Sequence, residues 1–244
     1  MERWSDEALV LGTVDYADAD RLVTLFTRGH GKLTAFAAGA RKSRRRFAGA
    51  LEPCTLLRAQ LVERRGSTRR LDGVDVLRAF HRLRSDLSRI GRALYAVELC
   101  RELVRDEEPH PELFEAARSW LVELEEGAAG PTSLIAFELR ALALAGLMPR
   151  FDACCLCGRP PGSEPRFDPA HGGAVCAQCQ GRAPGAARVV PDHLRALAAL
   201  QSGERTPLPA PVRAAARGLL NSFIAHQLGR PLRGVEFLRQ LGVD

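Results

Sequence analysis

Apolar and polar residues follow a short period over the first third of this chain. Ala8–Val14 is mostly apolar and β-prone, Leu22–Thr27 alternates apolar residues with Thr, and Lys32–Ala38, Thr55–Val62 and Leu71–Leu77 follow. Gly29-His30-Gly31 separates the second run from the third, and Arg65-Gly66-Ser67 and Asp72-Gly73 supply the closing turns. About five short strands punctuated at regular spacing predict a small barrel or sandwich over residues 6–78. A five-stranded barrel of this size is that of an OB-fold, a common binder of single strands. The pattern alone does not separate it from an SH3-like barrel.

The period then lengthens. Leu83, Leu87, Ile90, Leu94 and Val97 recur at three- and four-residue steps and predict a helix with one apolar stripe, ending in Asp106-Glu107-Glu108 before Pro109. A second helix is expected from Pro111 to Glu126, stopping at Gly127. A third is expected from Thr132 or Ser133, whose hydroxyls suit an N-cap, to about Leu147. Trp120 is expected in the helical core. Residues 151–187 lose periodicity and are rich in Cys, Gly and Pro. Helix returns over Asp192–Leu200, Ala210–Gln227 and Val235–Leu241, with three prolines in the linker Gly203–Pro211. The predicted class is α+β: an OB-fold-like barrel over residues 1–79, a helical domain over 80–150 and 188–244, and a metal-binding insertion over 151–187.

Composition narrows the partners. The net charge is +6 over 244 residues, and it is concentrated: residues 41–70 carry +8, leaving −2 for all the rest. Local positive charge is the footprint of a phosphate-binding face. The candidate contacts are Arg41, Lys42, Arg44, Arg45, Arg46, Arg64, Arg65, Arg69 and Arg70, with Lys32 on the neighbouring strand. The bland alternative is a solvated face in an Arg-rich protein, since only two of the 35 basic residues are Lys. Phe26, Phe36 and Phe47 are the phenylalanines of the barrel. Phe47, beside the basic run, either stacks on bases or anchors the loop to the core. The longest apolar runs, such as Ala141–Leu147, fall far short of the roughly 20 residues that cross a bilayer. Met1–Asp6 has no basic region ahead of an apolar one. No membrane partner is expected, and the expected compartment is the cytoplasm, at the nucleoid if the chain binds DNA.

Four of the seven cysteines are spaced C-x2-C-x18-C-x2-C: Cys154, Cys157, Cys176 and Cys179. Two such knuckles about 15–20 residues apart are the pattern of a zinc ribbon. Four thiolates close a tetrahedral shell, whereas catalytic zinc keeps one position open, so a structural ion is expected. A register using Cys155 is possible, although C-x-x-C geometry favours Cys154 and Cys157. His171 is followed by Gly172-Gly173, so the H-x-E signature of zinc deaminases is missing. No phosphate loop, dinucleotide fingerprint or nucleophile elbow is present. Cys54 and Cys100 read as buried apolar fillers.

The order of these parts, barrel, helices, four-Cys knuckle and more helices, resembles the RecO family. So do Ala8-Leu9-Val10-Leu11, the run Asp20–Thr27, Gly31-Lys32-Leu33, and Ala38-Gly39-Ala40-Arg41-Lys42 ahead of a basic loop. Phe137-Glu138-Leu139 and Leu144–Pro149, running into Cys154 and Cys157-Gly158, resemble that family's helix-to-zinc junction. The tail His226-Gln227-Leu228-Gly229, Leu232-Arg233-Gly234 and Phe237-Leu238 resembles its closing pattern, with Gly234 where Ser is expected. The likeness covers nearly the whole chain. It implies a non-enzymatic DNA-repair mediator that binds single- and double-stranded DNA and anneals complementary strands, including strands coated with single-strand-binding protein. It further implies work with RecR, and in many bacteria RecF, to load RecA, and a structural zinc. The competing readings are a zinc-ribbon nuclease, for which no acidic cluster or nucleophile stands out, and an adaptor whose basic loop binds an acidic protein tail.

Overall fold

The computed structural model describes residues 2–43, 45–63 and 69–242. The chain divides into two compact units, one up to Ala128 and the other from Ala129. The helices expected to form one domain are shared between these units.

In the first unit β1 (Glu2–Tyr16), β2 (Asp20–Thr27), β3 (Gly31–Ala37), β4 (Leu56–Glu63) and β5 (Arg70–Arg78) form a closed barrel in the order β1-β2-β3-β5-β4. β3 pairs with β5 in parallel, and every other pair is antiparallel. This topology is that of the OB barrel and decides against the SH3-like alternative. Two local expectations are corrected. β1 begins at Glu2 rather than Ala8, because its polar first half pairs with β4 from Glu2↔Glu63 to Leu9↔Leu56. Asp72-Gly73 is not a turn: it lies inside β5, where Gln60 opposes Gly73 and Leu61 opposes Leu71, leaving Asp72 as a bulge. Arg65-Gly66-Ser67 lies outside the described residues.

The barrel interior is built largely from small side chains. Ala8, Ala35, Ala37 and Ala59 share a buried cluster with Val10, Val23, Leu25, Leu33, Leu57 and Leu61. Phe47 and Leu51, from the connection between β3 and β4, join this cluster and are each 2% exposed. The alanines leave room that this connection fills from one end.

Three helices complete the first unit: α1 (His81–Arg84), α2 (Leu87–Leu103) and α3 (Pro111–Glu126). Asp86 caps α2 by accepting from the Ser88 and Arg89 amides. α3 starts with Pro in its first turn and ends at Gly127 with φ 78°, matching the expected bounds. Phe26 of β2 meets Phe114 of α3 edge-on at 5.5 Å, and both are fully buried. Trp120 is buried as expected. The expected stripe is buried only in part: Leu83, in α1, and Val97 are in the core. Leu87 is 68% exposed and Leu94 37%, whereas Ala93, Tyr95, Ala96, Val97, Leu99 and Cys100 are buried.

The second unit holds α4 (Ser133–Leu144), the short sheet β7-β6-β8 formed by β6 (Arg166–Asp168), β7 (Gly173–Val175) and β8 (Ala187–Arg188), then α5 (Pro191–Gln201), α6 (Ala210–Leu228) and α7 (Arg233–Gln240). The three-stranded sheet went unforeseen, because strands of two or three residues leave no periodic trace. The hydroxyl of Thr132 does not cap α4: it accepts from the Leu208 amide instead. Glu138 of α4 and Arg217 of α6 form a fully buried ion pair. Phe167 of β6 stacks on Phe151 at 5.8 Å and touches Phe223 of α6 at 6.4 Å, which seats the cysteine-rich segment on the helices.

Candidate nucleic-acid interface and metal centre

The described residues of the basic run 41–46 form neither a helix nor a strand. Residues 38–43 and 45–55 lie between β3 and β4, and Phe47 pins this connection by burying its ring in the barrel. Phe47 is therefore an anchor and cannot stack on bases, which settles the alternative left open above. Arg46 lies over that ring at 5.2 Å and donates to the Ala38 carbonyl at 2.8 Å, so it braces the loop. Arg41 pairs with Asp15 at 3.5 Å and remains 42% exposed. Lys42 and Arg45 are exposed and have no ion pair among the described residues. Arg44, Arg64 and Arg65 lie outside the described residues.

Among the remaining candidates Lys32 and Arg70 sit on strands, and Arg69 immediately precedes β5. Arg70 is half exposed and bonds Asp72, the bulge residue, at 2.6 Å. Lys32 and Arg69 have a different environment. Lys32 Nζ donates to the Arg101 carbonyl at 2.9 Å and pairs with Asp106 at 3.3 Å. Arg69 pairs with Glu63 at 3.0 Å and with Glu107 at 2.5 Å, and its side chain is 19% exposed. The acidic triplet after α2 thus lies along β3, where the Glu107 amide donates to the Lys32 carbonyl and Asp106 bridges Lys32 in parallel. Only glycine fits at Gly31, where φ is 71° and a Cβ would stand 2.1 Å from the Glu108 carbonyl oxygen. Hydrogen bonding to Arg69 holds the Glu107 carboxyl below its usual range, and the same bond raises the Arg69 guanidinium. A recess of about 290 Å³ lined by Lys32, Thr34, Glu63, Arg69, Asp106 and Glu107 results, with both signs of charge in it.

The four expected ligands converge. The sulfurs of Cys154, Cys157, Cys176 and Cys179 all lie within 4.8 Å of one another, and Cys157 and Cys176 are 3.7 Å apart. Tetrahedral bonds of about 2.3 Å to zinc place neighbouring sulfurs about 3.8 Å apart. A disulfide would need about 2.05 Å, and all seven cysteines are free. The donor set therefore fits a metal ion. Cys155, between two of these cysteines, stands outside the cluster, its amide held by the Ala174 carbonyl. The first knuckle closes with the Gly158 amide on the Cys154 carbonyl at 2.8 Å, Gly158 taking φ 76°. The second turns through a 3-10 segment, Ala177–Arg182, with Cys179 bonded back to Cys176. Burial pushes the Cys154 thiol up, but hydrogen bonds from the backbone at Cys176, Leu156 and Cys157 outweigh it and bring it down to about 6. Burial and the neighbouring sulfurs push Cys179 up to about 12. His171 pairs with Asp168 at 2.7 Å and takes no part in the cluster. Cys54 and Cys100 are buried among apolar atoms, and burial pushes both up to about 12.

One part of the surface was missed. Among the barrel phenylalanines only Phe36 is not buried, and it meets Tyr16, which is 53% exposed, edge-on at 5.8 Å. Strict alternation along β3, with Leu33, Ala35 and Ala37 inside, was the signal that could have assigned Phe36 to the outside.

Comparison with known proteins agrees with the architecture. The family description "Recombination protein O N terminal" matches residues 1–80, and "Recombination protein O C terminal" matches residues 84–236. A protein of Myxococcus xanthus named DNA repair protein RecO is 65% identical over the full length of both chains. Proteins of the same name from an Anaeromyxobacter species and from Geobacter sulfurreducens are 51% and 42% identical, covering 99% and 96% of this chain and 98% and 97% of their own. The chain belongs to the RecO family of DNA repair proteins.

Proposed function

We propose that this chain is a non-catalytic DNA-binding mediator. It anneals complementary single strands and, with RecR and RecF, helps to load RecA onto DNA coated with single-strand-binding protein. The observation that carries the reading is the loop between β3 and β4. It is anchored from inside by Phe47 and braced at the surface by Arg46, and it presents Arg41, Lys42 and Arg45 to solvent beside the barrel. Annealing brings two polyanions together, so the protein must offset phosphate repulsion along both. Cations on a braced loop do this without reading sequence, because phosphate contacts carry no base code. Neutralising about six phosphates on a single strand gives a slope near −4 in log K against log salt.

In this reading residues 1–79 form the DNA-binding domain, and residues 151–187 an insertion in a helical domain of residues 80–150 and 188–244. Arg44, Arg64, Arg65 and Arg70 join the interface, while Lys32 and Arg69 contribute once their acidic partners are displaced. Cys154, Cys157, Cys176 and Cys179 hold a structural zinc, whose closed shell offers no site to substrate. The ion supplies cross-linking of two knuckles that otherwise have little core of their own. Work on DNA places the protein in the cytoplasm, at the nucleoid. No helix among the described residues is long and apolar enough to cross a membrane.

The test is annealing of complementary strands precoated with single-strand-binding protein. Annealing that requires this chain, consumes no nucleotide and fades with salt supports the mediator. Magnesium-dependent strand cleavage by the pure protein would replace it with a nuclease.

A further inference from the structure

The outer face of the barrel carries a row of side chains that the protein's own packing leaves open. Val14 of β1 pairs with Leu22 of β2, Leu22 with Phe36 of β3, and Phe36 with Arg70 of β5. Buried neighbours at Val23, Ala35, Ala37 and Leu71 turn these residues outward, so one row crosses four strands. Tyr16, two residues beyond Val14, shares that face and meets Phe36 at a ring-to-ring angle of 90°. Val14 is 66% exposed and Tyr16 53%. Apolar residues scattered singly over a surface are ordinary, but a contiguous row ending in an aromatic pair marks a contact site.

The charge around the row selects its occupant. Arg70 closes it at the β5 side, half exposed and held by Asp72 at 2.6 Å, a surface pair that a phosphate can replace. At the other side Arg41 reaches Asp15, between Val14 and Tyr16, and donates to the carbonyls of Ala17 and Asp18. An apolar and aromatic strip with a guanidinium at either side matches a chain of flat rings joined by anions.

We propose that Tyr16 and Phe36, with Val14 and Leu22, form a stacking platform for the unpaired bases of a single DNA strand, and that Arg41 and Arg70 take the flanking phosphates. This rests on the DNA-binding reading above and adds to it a means of telling single from double strands. In a duplex the base faces are covered by their neighbours, so only an unpaired strand can lay a base on the Tyr16 ring. The perpendicular contact with Phe36 fixes that ring before DNA arrives, which removes part of the ordering penalty.

The experiment is equilibrium binding of the full chain to three ligands of equal phosphate number: an oligothymidylate, an abasic strand and a duplex. The variants are Tyr16→Ala and Tyr16→Phe. The native chain is expected to prefer oligothymidylate to the abasic strand. Tyr16→Ala should weaken oligothymidylate binding about tenfold and leave the other two ligands unchanged, while Tyr16→Phe should restore the preference. Equal affinity of the native chain for the base-bearing and abasic strands would overturn the platform while leaving DNA binding intact. So would a Tyr16→Ala loss of the same factor on all three ligands. Failure of the native chain to bind any of them would overturn the DNA-binding reading, and the platform with it.

Discussion

Glu107 binds Arg69 at 2.5 Å from a segment that follows α2, and the same segment sets Asp106 3.3 Å from Lys32. Two cations of the barrel are thereby neutralised by acids more than thirty residues away in the chain. Arg69 stands next to Arg70, the residue aligned with Phe36, so this acidic strap borders the face that we assign to DNA.

Replacing Glu107 and Glu63 together with Gln should free Arg69 for phosphate, since both carboxylates bind it. The expected outcome is tighter single-strand binding at low salt, with the slope of log K against log salt steeper by about 0.7 for the one added contact. An unchanged slope would show that Arg69 stays out of reach of DNA. The Arg69–Glu107 pair has a pH signature. The folded Glu107 carboxyl is held below its ordinary 4.5, so its contribution to stability is present above about that pH and is lost as pH falls through the lower folded value. Chemical denaturation from pH 7 down to pH 3 should show native and Glu107→Gln proteins converging at the acid end.

Phe47 is the wedge that holds the basic loop. Phe47→Ala should reduce stability by about 3–5 kcal/mol, whereas Arg45→Ala should leave it almost unchanged and weaken DNA binding instead. Urea denaturation of the two variants separates the roles.

The four-cysteine cluster should hold about one zinc per chain by elemental analysis. Cys176→Ser or Cys179→Ser should lower that content, and Cys155→Ser should not. Metal binding contributes folding free energy where two knuckles have little core of their own. Chelation is therefore expected to loosen the β6–β8 region, measurable by hydrogen exchange, while the barrel keeps its protection.

Glu138→Ala should cost the protein about 3–5 kcal/mol by leaving Arg217 buried without its carboxylate. The joint replacement Glu138→Leu with Arg217→Met should recover most of this. Thermal unfolding of the single and double variants provides the comparison.

Much of this was legible in the chain. Five strands, the class of the fold, α3 between Pro111 and Gly127, and the gathering of four cysteines follow from alternation, a proline–glycine pair of stops and the knuckle spacing. What failed shares a cause, which is that local pattern says how a residue alternates but not what lies across from it. The expected stripe has helical spacing, yet Leu87 and Leu94 are exposed while Tyr95, Ala96 and Leu99 are buried. Phe47 sits among arginines in sequence and among alanines in space. Lys32 and Arg69 look like free cations until the Asp106-Glu107-Glu108 segment is laid beside them. Tyr16 was overlooked because it closes a strand whose role is set by Phe36, twenty residues on.

The exposed cations of the β3–β4 loop are proposed to bind DNA through its phosphates. The most direct measurement is the affinity for a single strand over a salt series, for the native chain and for Arg41→Ala/Lys42→Ala/Arg45→Ala. A native slope near −4 and a variant slope shallower by about 2 are expected, with folding unchanged. Equal slopes for the two proteins, or a native affinity indifferent to salt, would contradict that role.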